Sequence, residues 1–253
     1  MPSYFSTNPD ALCRFELEAQ AAGRLNHPNI LAVYDIGVHE GAPYIVSELL
    51  AGESLRGRLA KGRLAIATVI DYAKQIAAGL AVAHKEGITH RDIKPENLFV
   101  THDGRVKMLD FGLATGPEGQ TETGRAMGTA PYMSPEQTRG EKTDCRSDIF
   151  SFGCVLHEMV TGELPFPGSS ATSVSARILN TEPTPARKKA PETPRGIEQI
   201  IERCLSKNIE HRYQSMAEIG LMLDEIPSGT RRKRVFAYAF GTLLAAGLLL
   251  SGL

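Results

Sequence analysis

His90-Arg91-Asp92-Ile93-Lys94-Pro95-Glu96-Asn97 and, thirteen positions past Asn97, Asp110-Phe111-Gly112 put the carboxylates of Asp92 and Asp110, the Lys94 ammonium group and the Asn97 amide into one short span. Between these motifs, Leu98-Phe99-Val100 and Val106-Lys107-Met108-Leu109 read as short strands about Asp103-Gly104, a dipeptide that favours a tight hairpin turn. Folding them antiparallel returns Asn97 and Asp110 to the same end. An amide oxygen and a carboxylate there suit a hard cation such as Mg²⁺. Asp92 is of the type that orients and deprotonates a hydroxyl, and Lys94 of the type that neutralises developing negative charge.

The two motifs resemble the catalytic loop, H-R-D-x-x-x-x-N, and the metal-binding turn, D-F-G, of protein kinases, in order and at that family's separation. The resemblance implies transfer of the γ-phosphoryl of ATP to Ser/Thr hydroxyls of protein substrates. Asp92 is then the base, Lys94 the charge stabiliser, and Asn97 and Asp110 the Mg²⁺ ligands. Some small-molecule phosphotransferases share the fold and an Asp/Asn/Asp arrangement, but the wording of 91–97 favours a serine/threonine protein kinase of the bacterial, eukaryotic-like kind.

Length and composition are compatible with two lobes: 253 residues suffice for a sizeable core. A formal net charge of −1 gives no argument for nucleic-acid binding. Cys13, Cys145, Cys154 and Cys204 lie far apart, without metal or redox spacing, and read as reduced thiols. No internal repeat and no cleavable N-terminal signal is expected.

The expected fold is α+β and protein-kinase-like, with an incomplete N-lobe (a regulatory helix plus two strands, 1–50) and a complete, mainly helical C-lobe (51–226). The pattern over 10–20 is helical and is followed by Leu25-Asn26-His27-Pro28-Asn29-Ile30, which resembles the regulatory helix and its exit. By that match Glu18 is the glutamate that pairs with the phosphate-binding lysine. That lysine and the glycine-rich loop before it are absent, so the chain reads as N-terminally truncated. The stretches 30–36 and 43–48 read as two strands. By resemblance 48–50 is the hinge, Ser47 guards the pocket behind it, and Glu48, Leu50 and Phe99 meet the nucleotide. A bare two-stranded sheet is marginal and exposes an edge.

Apolar residues from Ile66 to Ala83 recur at three- and four-residue steps and mark a long helix that ends near Gly87. Residues 113–129, rich in Gly and Thr, suit an activation segment, with Thr121 and Thr123 as candidate phosphosites and Arg91 as the cationic partner. The stretch 128–136 resembles the segment's end, with Ser134 replacing the usual alanine of A-P-E. The resemblance implies that Thr129 contacts Asp92 and Lys94 and that Glu136 pairs with Arg212. Ser147-Asp148 is expected to open a core helix, and by resemblance Asp148 also holds the catalytic loop from beneath. Residues 165–194 read as surface connections around one helix near 173–179, and 197–205 and 216–223 as the last helices.

From 227 the composition changes: a basic linker (227–234) precedes nineteen uncharged residues, 235–253. At 1.5 Å per residue these make a helix of about 28 Å, the length of a single membrane span, with the basic side cytoplasmic. The expected setting is therefore membrane-associated signalling, with a cytoplasmic kinase domain and a possible homodimer for trans-autophosphorylation. A reading of another class keeps the C-lobe as a pseudokinase or scaffold without turnover.

Overall fold

The computed structural model describes residues 23, 25–39, 42–111 and 130–227. The expected helix over 10–20 with Glu18, the segment with Thr121, Thr123 and Thr129, Gly112, and the apolar tail 235–253 lie outside the described residues.

The body is helical. Helix α2 (Ile66–Lys85), which follows the short α1 (Leu55–Leu59), buries Val69, Ile70, Ala73, Ile76, Ala77, Leu80 and Ala83 along one stripe. Its end is closed by Ile88 N–H donating to the Ala83 carbonyl at 2.9 Å, with Gly87 at φ +74. Among the described residues α2 is the one helix long and apolar enough to cross a membrane, but half of that stretch is buried in the body. It is a core helix.

Beside it α4 (Cys145–Thr161) follows α3 (Pro135–Arg139) and is buried throughout 147–160. It starts earlier than Ser147-Asp148, because the Asp144 side chain accepts the Arg146 N–H at 2.8 Å and caps the first turn. Ser147 and Asp148 consequently sit inside the helix and face the core. Helices α5 (Ala171–Asn180), α6 (Ala186–Lys189), α7 (Arg195–Cys204) and α8 (Met216–Glu225) complete the body, with α7 against α4 and α8 along α2. A Cβ on Gly153 would stand 2.6 Å from Cys204 Cβ, so glycine sets the close approach of α4 and α7. Helix α6 falls where the sequence reads as a connection. Buried Ala186 and Ala190 anchor it, and Glu198 accepts the Arg187 N–H at 2.9 Å. Cys145, Cys154 and Cys204 are free thiols, and burial pushes the last two far above their usual range.

Two small sheets adjoin the body. Strands β1 (Val33–His39) and β2 (Ala42–Ser47) form an antiparallel hairpin with Ile36 opposite Ile45. The second sheet is β3 (Gly52–Ser54), β4 (Leu98–Thr101) and β5 (Val106–Met108), all antiparallel. Strand β3 has no sequence pattern of its own. Gly52, at φ +156, lets it pass so close to β4 that a Cβ would stand 2.1 Å from the Val100 carbonyl. Strand β1 begins at Val33 and not at Ile30, because the residues before it pair elsewhere. Met108 N–H donates to the Asn29 carbonyl at 2.9 Å, and Leu31 N–H to the Met108 carbonyl at 3.0 Å.

Candidate active site

The 3₁₀ turn Pro95–Asn97 runs into β4, and β5 brings the chain back, as the Asp103-Gly104 turn predicts. Leu109 N–H then donates to the Asn97 carbonyl at 2.9 Å, which places Asp110 directly beside Asn97. Asp110 is exposed and holds φ +55, and Phe111 after it is buried with its ring 4.6 Å from that of His90.

The two oxygens of Asp92 have different surroundings. Oδ2 accepts from Lys94 Nζ at 2.7 Å and from Asn97 Nδ2 at 2.9 Å. Oδ1 is buried and has no hydrogen-bond partner. Asn97 Nδ2 also donates to the Asp92 carbonyl at 2.9 Å. With both acceptors on that nitrogen the amide orientation is settled, and Asn97 Oδ1 is the atom left to face a cation with the Asp110 carboxylate. This donor set fits Mg²⁺, a hard ion that takes one or two protein oxygens and fills the rest of its shell from substrate phosphates and water.

The loop is held from beneath. Asp148 accepts the His90 N–H at 2.8 Å on Oδ2 and the Arg91 N–H at 2.7 Å on Oδ1, as the resemblance implies, and His84 Nε2 adds a contact at 2.8 Å that no sequence pattern announced. His90 Nε2 faces the Leu109 carbonyl at 2.8 Å while Nδ1 faces the Asp92 N–H, so the ring is neutral with its proton on Nε2. Burial holds its pKa below the usual histidine value. The expected pair of Glu136 and Arg212 is present as a two-pronged bridge, 2.7 and 2.9 Å, with Ser147 Oγ donating to the same carboxylate at 2.7 Å. Burial alone would raise the Glu136 carboxyl. The Arg212 and Ser147 hydrogen bonds overcome it and hold the group at about 2.

Two further networks join residues that no local sequence pattern links. Arg56, on α1, bridges Glu96 at 2.7 Å and Glu158 at 2.6 Å and also meets Tyr132, whose hydroxyl donates to Glu158 at 2.5 Å. This ties Glu96, in the loop 90–97, to Tyr132 and to Glu158 on α4. Lys107, which reads simply as a strand residue, is buried and donates to Glu48 Oε1 at 2.5 Å and to the Ile30 carbonyl at 3.3 Å. Glu48 also accepts the Ala32 N–H at 2.8 Å, and these donors overcome the opposing effect of burial to hold its carboxyl below the usual range. The Glu48 side chain is therefore engaged with β5. Leu49 is 98% exposed, Leu50 and Ser47 are partly buried, and Phe99 is partly buried beside Gly52. No local pattern signals this, because alternation along a strand sets Lys107 on the face opposite Val106 and Met108, where a lysine ordinarily meets water.

An α+β fold that brings two carboxylates, a lysine and an amide together on one loop and one turn carries the types of group that phosphoryl transfer requires. Comparison with known proteins makes the class specific. Residues 7–220 match the protein kinase domain. A probable serine/threonine-protein kinase of Clostridium acetobutylicum is 40% identical over 225 residues, covering 88% of this chain and 34% of the relative. PknB of Mycobacterium leprae, a serine/threonine-protein kinase, is 39% identical over 230 residues, 88% of this chain and 37% of the relative, and PrkC of Bacillus subtilis is 37% identical, covering 85% and 34%. The crystal structure of the Mycobacterium tuberculosis PknI kinase domain superposes with a TM-score of 0.70 at 24% identity, over 89% of this chain and 83% of that one, a likeness of fold. The chain belongs to the protein kinase family. It spans about a third of the length of the curated relatives it matches.

Proposed function

We propose that this chain is a serine/threonine protein kinase whose base is Asp92. The observation that carries the reading is the split carboxylate: one oxygen is fixed by Lys94 and Asn97, and the other is buried, without a partner and free to accept a hydroxyl proton. In the reaction so assigned, Asp92 Oδ1 takes the proton of a serine or threonine hydroxyl as that oxygen bonds to the γ-phosphorus of ATP. The bond to the bridging oxygen breaks and ADP leaves. Lys94 offsets charge beside the transfer, and Asn97 Oδ1 and Asp110 are assigned to Mg²⁺, which when bound neutralises the phosphate oxygens. The hinge 48–50 and Phe99 are assigned to the adenine. Arg91, whose Nε is buried without a hydrogen-bond partner, is assigned to a phosphate on Thr121 or Thr123, and Thr129 to the acceptor side. Asp110→Asn should abolish transfer to a generic serine/threonine substrate while the chain stays folded by circular dichroism, and full activity in that variant would remove the metal assignment.

A second reading, a docking scaffold with weak turnover, is favoured by one specific observation. The buried Lys107 is already paired with Glu48 and is not available to the phosphates of a nucleotide, and positioning is most of what a kinase contributes. Titration of Mg²⁺-ATP separates the readings: micromolar affinity with transfer supports the enzyme, and absence of both supports the scaffold. The coding DNA upstream of Met1 shows whether a glycine-rich loop and lysine precede it in frame. We further propose that 235–253 anchors the chain in a membrane, with 1–50, 51–226 and 227–234 on the cytoplasmic side. Recovery in the soluble fraction at high salt without detergent would count against the anchor.

A further inference from the structure

Arg91 holds φ +66, a backbone state that a residue with a side chain keeps only where its surroundings over-determine it. Both sides of this residue are clamped. Its N–H donates to Asp148 Oδ1 at 2.7 Å, and its carbonyl accepts from Gln137 Nε2 at 2.8 Å. That carbonyl belongs to the peptide that leads into Asp92. Gln137 is in turn fixed at its other end: Oε1 accepts the Ser134 N–H at 3.0 Å, and its own N–H donates to Ser134 Oγ at 3.3 Å. These two bonds are the capping box that starts α3. One amide thus begins a helix with its oxygen and restrains the catalytic loop with its nitrogen.

We propose that Gln137 is a positioning residue for Asp92: its amide nitrogen holds the Arg91 carbonyl, and with Asp148 it locks the peptide that aims the carboxylate. The proposal rests on the reading of Asp92 as the base. Capping does not require an amide, because glutamate caps through its oxygen equally well. The donor is what glutamine adds. Gln137→Glu therefore separates the two roles. It keeps the acceptor for Ser134 N–H and suits the positive end of a helix, but it sets an anionic oxygen against the Arg91 carbonyl.

The test uses the full chain with Mg²⁺-ATP and a generic serine/threonine substrate, together with thermal unfolding and hydrogen exchange read by mass spectrometry. In Gln137→Glu the unfolding midpoint should stay or rise, kcat should fall about tenfold or more at unchanged KM for ATP, and exchange should quicken over 90–93 but not over 135–139. A variant equal to wild type in kcat and in exchange over 90–93 overturns the proposal. Should the wild-type chain transfer no phosphate, the activity reading fails by itself, and exchange decides: faster over 90–93 sustains the clamp, unchanged removes it. If Gln137→Glu does not fold, Gln137→Met is judged by the same local exchange.

Discussion

The helical body and the β1–β2 hairpin are built on opposite terms. In the body, α4 is buried along 147–160, Arg212 is enclosed by Glu136, Ser206 and Arg146, and the loop 90–97 donates hydrogen bonds to Asp148 and accepts one from Gln137. In the hairpin, Tyr34 is 69% exposed and Val38, Tyr44 and Val46 are exposed as well. Two strands bury too little to hold themselves in water. Among the described residues, the segments that flank the hairpin are tied to β5 by the Asn29–Met108 pairing and by Lys107 with Glu48. The difference teaches where a strained backbone can be kept: Arg91, at φ +66, sits on the side where Asp148 and Gln137 hold both of its peptides, whereas Glu48 depends on a few polar links.

The contrast can be broken from the body side first. Arg212→Ala leaves the Glu136 carboxylate buried without its partner and should cost about 3–5 kcal/mol in urea unfolding; a loss under 1 kcal/mol would show that the bridge contributes little. On the hinge side, Lys107→Met removes a charged hydrogen bond and should cost about 1.5–3 kcal/mol. Limited proteolysis should then speed up within 33–47 and not within α2 or α4. Equal acceleration everywhere would mean that the hairpin is no separate unit.

Acid sharpens the same comparison. Burial depresses the pKa of His90 and of His157, so each supports the fold while neutral, and their contribution is lost as pH falls below the usual histidine value of 6.5. Glu136, held at about 2, adds a further loss as pH falls below the ordinary carboxyl value of 4.5 toward 2. Unfolding midpoints measured from pH 7 to pH 3 should decline in these two steps, and a midpoint that is flat to pH 4 would contradict the histidine assignment. The smallest effect belongs to the open face: Tyr34→Thr should shift stability by no more than about 0.5 kcal/mol, since the ring is already in water.

Much of this was legible because local patterns and tertiary structure agreed. The stripe from Ile66 to Ala83 is buried as its spacing demands, and the Asp103-Gly104 turn closes the hairpin that joins Asn97 to Asp110. What escaped depends on long-range partners. Strand β3 exists because β4 offers an edge, the start of β1 moves because Met108 competes for Asn29 and Leu31, and Asp144 takes the cap that Ser147 and Asp148 could have held. Among the site residues, Asp92, Lys94, Asn97 and Asp110 stand in one motif pair. Lys107, His84, Gln137 and Arg56 take their meaning from groups 46 to 102 positions away.

The most direct measurement is transfer of labelled γ-phosphoryl from Mg²⁺-ATP to a generic serine/threonine substrate by the full chain and by Asp92→Asn, with thermal unfolding as the control. The account predicts transfer by the wild type, a loss of about 10²–10⁴-fold in Asp92→Asn, and the same unfolding midpoint for both. Undiminished transfer in Asp92→Asn would contradict it.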